Sequence, residues 1–100
     1  MRPTSLLLLT TLVPTLCLSA ESIFTKRKLD SFFYAEGAAI ADFTGDGRPD
    51  VAAGPRVFIG PDFQKSRVYR SPHAFDRLSY SNNFLTFTDD FNDDGRPDIL

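Results

Sequence analysis

The chain has 100 residues, with eleven basic and thirteen acidic side chains, a net charge of −2 and 42% hydrophobic residues. It carries no basic stripe or patch, so the composition offers nothing to a nucleic-acid partner. A single cysteine excludes an internal disulfide framework, and the length suits at most one small domain.

Residues 1–20 read as a secretory signal peptide. Arg2 follows the initiator, Leu6 to Leu18 form a short apolar run, and Leu18-Ser19-Ala20 ends on a small residue suited to cleavage. The run is shorter than the roughly 20 residues of a membrane-spanning helix, and Pro14 interrupts it. Cys17 follows Leu16, where a lipid-attachment site carries a small residue, so cleavage after Ala20 is favoured. The expected location is secreted, extracellular or periplasmic, with no membrane span in the mature chain. From Glu21 onward there is no cysteine, and ten basic residues face thirteen acidic ones. An exported chain without disulfides needs another stiffener, and a bound metal is one.

The mature chain reads as short strands, with no sustained helical period. Ile23 to Leu29 is apolar and then basic, which predicts an exposed edge strand. Gly37 to Ala41 is a small-residue strand running straight into Asp42. Val51 to Ala53 follows and stops at Gly54-Pro55; Arg56 to Ile59 follows and stops at Gly60-Pro61. Ser66 to Arg70 alternates polar and apolar residues, as a half-buried strand does. After a linker at Ser71-Pro72-His73 the order restarts, with Phe84 to Thr88 taking the place of Gly37 to Ala41. Only Ile99 and Leu100 of the strand expected after the second loop are present, so the chain reads as the N-terminal part of something longer.

Between these strands a nine-residue motif occurs twice, 48 residues apart: Asp42-Phe-Thr-Gly-Asp-Gly-Arg-Pro-Asp50 and Asp90-Phe-Asn-Asp-Asp-Gly-Arg-Pro-Asp98. A repeat period in the range of about 20–50 residues points to propellers and solenoids. Alternate positions hold Asp42, Thr44, Asp46, Arg48 and Asp50 in the first copy, and Asp90, Asn92, Asp94, Arg96 and Asp98 in the second. Carboxylates packed at this spacing repel one another unless a cation lies among them. Side-chain oxygens at positions one, three, five and nine, with the backbone carbonyl of Arg48 or Arg96 at seven, make a donor set for Ca²⁺. That ion takes 6–8 oxygens in irregular geometry, whereas Mg²⁺ demands a tight octahedron. The lone His73 and the missing cysteines disfavour zinc and copper. Gly47 and Gly95 allow the backbone reversal, and Pro49 and Pro97 extend the arginines before them. Phe43 and Phe91 are expected as apolar plugs beneath the loops. Position twelve, which supplies the closing acid of an EF-hand, is Ala53. The plain alternative is an Asp-Gly hairpin turn that happens to be acidic.

The stretch Gly37-Ala-Ala-Ile-Ala-Asp-Phe-Thr-Gly-Asp-Gly-Arg-Pro-Asp-Val-Ala-Ala-Gly54 resembles an FG-GAP/VCBS repeat, the blade unit of integrin-α-type β-propellers. The likeness covers residues 37–60 and 84–100; the Phe-Gly that names the repeat is missing, with Phe33-Tyr34 and Glu36-Gly37 in its place. It implies an all-β fold of four-stranded antiparallel propeller blades, one at about 37–70 and the start of a second at about 84–100 within a repeat region 21–100. It also implies calcium in both loops, held by the alternate residues named above. Phe58, Phe63, Phe84 and Phe87 would then pack between blades.

The expected function is that of a secreted calcium-binding scaffold for a carbohydrate or protein ligand, or for further blades of its own chain, without catalysis of its own. The alternative is the N-terminal part of a propeller-based polysaccharide lyase or hydrolase. Glu36, Asp62 and Asp76 are its candidate acids, but none has a visible partner, and His73 has no nucleophile beside it. Tyr80, Asn82 and Asn83 offer sugar-binding chemistry but equally a turn before a strand. A thrombospondin-like calcium array would need consecutive loops and cysteines, which this chain lacks.

Overall fold

A computed structural model of the chain describes residues 20–100. The signal peptide expected at residues 1–20 therefore lies, but for its final residue, outside the described residues. Among the described residues no helix is long and apolar enough to cross a membrane.

The first four strands are β1 (Ala38–Ala41), β2 (Asp50–Ala53), β3 (Arg56–Ile59) and β4 (Lys65–Val68). They form one antiparallel sheet in chain order, with β1 and β4 at its two edges. Two further strands, β5 (Thr88–Asp89) and β6 (Asp98–Ile99), form a separate two-stranded antiparallel sheet. The chain is therefore all-β, as its alternating short apolar runs predict. Gly54-Pro55 makes the tight turn between β2 and β3, and Gly60-Pro61 opens the turn between β3 and β4.

The register follows from alternation across each strand. Ala39 faces Ala52 and Ala52 faces Val57, while Val51 faces Phe58 and Phe58 faces Ser66. One sheet face therefore carries Ile40, Val51, Ala53, Arg56 and Phe58; the other carries Ala39, Ala41, Asp50, Ala52 and Arg67. The segment from Leu29 to Ala35 packs over the Phe58 face, where it lines a hollow with Ala53 and Phe58. Asp30 approaches the Arg56 guanidinium at 3.7 Å on that side. Among the described residues the buried hydrophobic side chains are Ala39, Ala52 and Phe58.

The propeller expectation is overturned. The two sheets are open and share no ladder: the first has β1 and β4 as its outer strands, and the second has two short strands rather than the start of another blade. The physical reason lies in the faces. Blades stack through broad apolar surfaces, but here four-residue strands rich in alanine bury little, and every residue of β4 is exposed. The resemblance to FG-GAP/VCBS repeats rests on a strand–loop–strand stretch and its second copy, which specify a hairpin without dictating how sheets assemble.

Smaller expectations are corrected on the same grounds. Ser66 to Arg70 is not half-buried, since every one of these residues is exposed. Ile23 to Leu29 forms no strand; it is anchored instead by Arg27, whose Nη1 donates to the carbonyls of Pro61 (3.2 Å) and Asp62 (3.0 Å). The same guanidinium lies 5.7 Å from the centre of the Phe63 ring. Phe84 to Thr88 shrinks to a strand starting at Thr88, and Phe84 and Phe87 are exposed rather than packed between sheets.

Candidate metal centre

Both acidic motifs sit in the same place: the connection of a two-strand hairpin. The first joins β1 to β2 and is closed by the pair Ala41 and Asp50; the second joins β5 to β6 and is closed by Asp89 and Asp98. Subtracting the 48-residue repeat superimposes one register on the other. Phe87 and Leu100 extend the second ladder by exchanging backbone hydrogen bonds of 2.9 and 3.0 Å, where the first has Ala39 facing Ala52.

Within each loop the acids are held by backbone N–H groups in a shared frame. In the first, Asp42 Oδ1 accepts from the N–H of Gly45 (2.7 Å) and Asp46 (3.1 Å), and Oδ2 accepts from Gly47 (2.7 Å). The Thr44 hydroxyl also donates to Asp42 Oδ1, at 3.3 Å. In the second, Asp90 Oδ1 accepts from Asp94 (3.0 Å) and Oδ2 from Gly95 (2.7 Å). The fifth-position acid caps the seventh residue both times, Asp46 to Arg48 and Asp94 to Arg96, each at 2.9 Å. Asn92 Oδ1 accepts from Asp94 at 3.1 Å. The ninth-position acid reaches back to the loop's start: Asp50 accepts from Thr44 (3.1 Å) and Asp98 from Phe91 (3.0 Å).

Glycine makes the reversal possible. Gly47 and Gly95 have φ of 80° and 81°, as the Asp-Gly pairs predict. Position four is a second left-handed residue that sequence reasoning missed, with φ of 75° at Gly45 and 58° at Asp93. The signal was available, since glycine and aspartate are among the residues that tolerate this region.

The two loops differ in how their last acid is held. Asp50 is completely buried, and its Oδ1 accepts a further hydrogen bond from Gly60 N–H at 2.8 Å, tying the loop to the end of β3. Asp98 is half-buried and has no such second anchor. Asp42 is correspondingly saturated, and its carboxyl is held below its ordinary value, first by the Gly47 N–H; desolvation opposes this as the next largest effect, and the bonds from Gly45, Asp46 and Thr44 add to the lowering. Phe43 is half-buried as a plug should be, but Phe91 is exposed.

Among the described residues no three His, Cys, Asp or Glu side chains converge as a ready metal cluster. Each motif supplies three carboxylates, Asp42, Asp46 and Asp50 or Asp90, Asp94 and Asp98, so the donor set expected from the sequence is present in each loop but not drawn together on one point. It is nonetheless all oxygen, and it leaves Asp46, Asp94 and Asp98 each with a carboxylate oxygen that accepts no hydrogen bond from the protein. That chemistry fits a hard dication.

The other candidates are in structural roles. Glu36 is bound by the N–H and hydroxyl of Ser81, while Asp62 and Asp76 accept from the N–H of Gln64 and Leu78, two residues on. His73 stacks edge-on against Phe75 at 4.7 Å between ring centres. Tyr80 packs against Phe84 at 6.0 Å, Asn83 Oδ1 accepts from Thr86, and Asn82 is exposed.

No protein-family model, curated protein or solved structure matches the chain. The resemblance to FG-GAP/VCBS repeats gains no support there either.

Proposed function

We propose that this is an exported, calcium-binding β module that presents a ligand-binding surface and performs no catalysis of its own. Asp42, Thr44, Asp46, Asp50 and the Arg48 carbonyl are the ligands of one site; Asp90, Asn92, Asp94, Asp98 and the Arg96 carbonyl are those of the other. The observation that carries the reading is the recurrence, in two separate hairpins, of one frame in which aspartates of an acid-rich loop accept backbone N–H bonds around a glycine turn. A turn needs no such surplus of negative charge. A bound Ca²⁺ would neutralise the clustered carboxylates and tie the two strands of each hairpin together. The ligand presented to is a carbohydrate or another protein.

Calorimetric titration with calcium tests this. Two sites per chain are expected, the second loop being filled first, because Asp90 accepts fewer hydrogen bonds than Asp42. Asp94→Ala should abolish one site and leave the other. No heat and no change in melting temperature at millimolar calcium would refute the reading.

A further inference from the structure

An open cleft of about 700 Å³ lies between the two acidic loops. Phe43 and Thr44 line it from the first loop, Arg67 from β4, and Arg96 and Pro97 from the second. Its volume falls in the range of small-ligand sites, roughly 300–1,000 Å³. Arg67 and Arg96 are both exposed, and neither guanidinium has a hydrogen-bond or ion-pair partner among the described residues. In a chain with an acidic balance and acids close by, two unpaired cations lining one cleft call for an anion.

We propose that this cleft binds an acidic oligosaccharide, with sugar carboxylates paired to Arg67 and Arg96. Guanidinium groups engage carboxylates through two parallel hydrogen bonds. Spaced single charges suit the cleft better than a dense polyanion, because Asp42 also lines it. Thr44 supplies a hydroxyl for hydrogen bonding, and the Phe43 ring supplies an apolar surface for a sugar face. This inference rests on the reading of the protein as a ligand-binding module, and it does not require the metal.

The test titrates the whole protein with tetragalacturonate, in chelator-treated buffer and again with calcium. Binding is expected in both, with a neutral tetrasaccharide at least tenfold weaker. Arg67→Gln and Arg96→Gln should each weaken binding about tenfold, one charge-assisted pair being lost, while Lys65→Gln on the same strand leaves it unchanged. Both arginines are exposed, so an unaltered circular dichroism spectrum verifies the fold. Equal binding of the neutral sugar, equal binding of tetraglutamate, or indifference to both arginine substitutions overturns the proposal. Calcium uptake without tetragalacturonate binding also overturns it and spares the metal reading; sugar binding without calcium uptake does the reverse.

Discussion

Position four of each loop is left-handed in both copies, although one carries glycine and the other aspartate. Gly45 adopts φ of 75° without strain, whereas Asp93 holds 58° with a Cβ attached. Nothing lies within 4 Å of a Cβ built on Gly45, so the effect of substitution there is pure backbone strain. Gly45→Ala should therefore lose about 1–2 kcal/mol, read as a lower denaturant midpoint with an unchanged slope. Asp93 is exposed, yet Asp93→Ala should still destabilise modestly, because aspartate tolerates this region better than alanine. An unchanged midpoint in both variants would show that the left-handed geometry is not kept in solution.

Glu36 adds a residue-scale dependence on pH. Its carboxyl is held below the ordinary value of 4.5, chiefly by the Ser81 hydroxyl, against a smaller effect of desolvation. A depressed acid favours the folded state above its unfolded value and loses that contribution as pH falls through the folded one. The stability gap between the protein and its Glu36→Gln variant should thus be fully open above about pH 4.5 and close below it. A gap independent of pH would remove the carboxylate from the account.

Between elements, Asp50 is the joint. It begins β2, reaches back to Thr44 in the loop and across to Gly60 at the end of β3, all from a fully buried position. Asp50→Ala would orphan two backbone N–H groups, one of them buried, at about 2 kcal/mol or more. Gly60 cannot be enlarged in compensation, since a Cβ there would run into the Pro49 carbonyl. Asp98→Ala should be milder, because that acid is half-buried and holds a single loop N–H. Chemical denaturation of both variants in chelator isolates this structural role from any contribution of bound metal.

Over the whole molecule, buried apolar packing is thin, and Phe32, Ile40, Phe84, Leu85 and Phe87 are all more than half exposed. A small domain with so little core is sensitive to anything that binds only the folded state. Calcium at a hundredfold excess over its dissociation constant should add about 2.7 kcal/mol per site, visible as a rise in melting temperature that chelator reverses. The Asp42→Asn, Asp90→Asn double variant should lose that rise.

What the sequence determined by itself was local. The first three strands, the turns at Gly54-Pro55 and Gly60-Pro61 and the reversal at Gly47 and Gly95 are set by alternation and turn chemistry acting across about ten residues. The acids' placement along each hairpin is legible for the same reason, whereas their bonds to backbone N–H groups, though local, each spanning six residues or fewer apart from the seven-residue reach of Asp98, came only with the structure. What only the tertiary structure decided was non-local: that the sheets remain open, that Ile23 to Leu29 docks through Arg27 instead of pairing, and that Asp50 is buried by Gly60 while Asp98 is not. A repeated motif specifies its own hairpin. Whether hairpins assemble further depends on what their faces meet, and these four-residue strands, rich in alanine, offer little area to meet it.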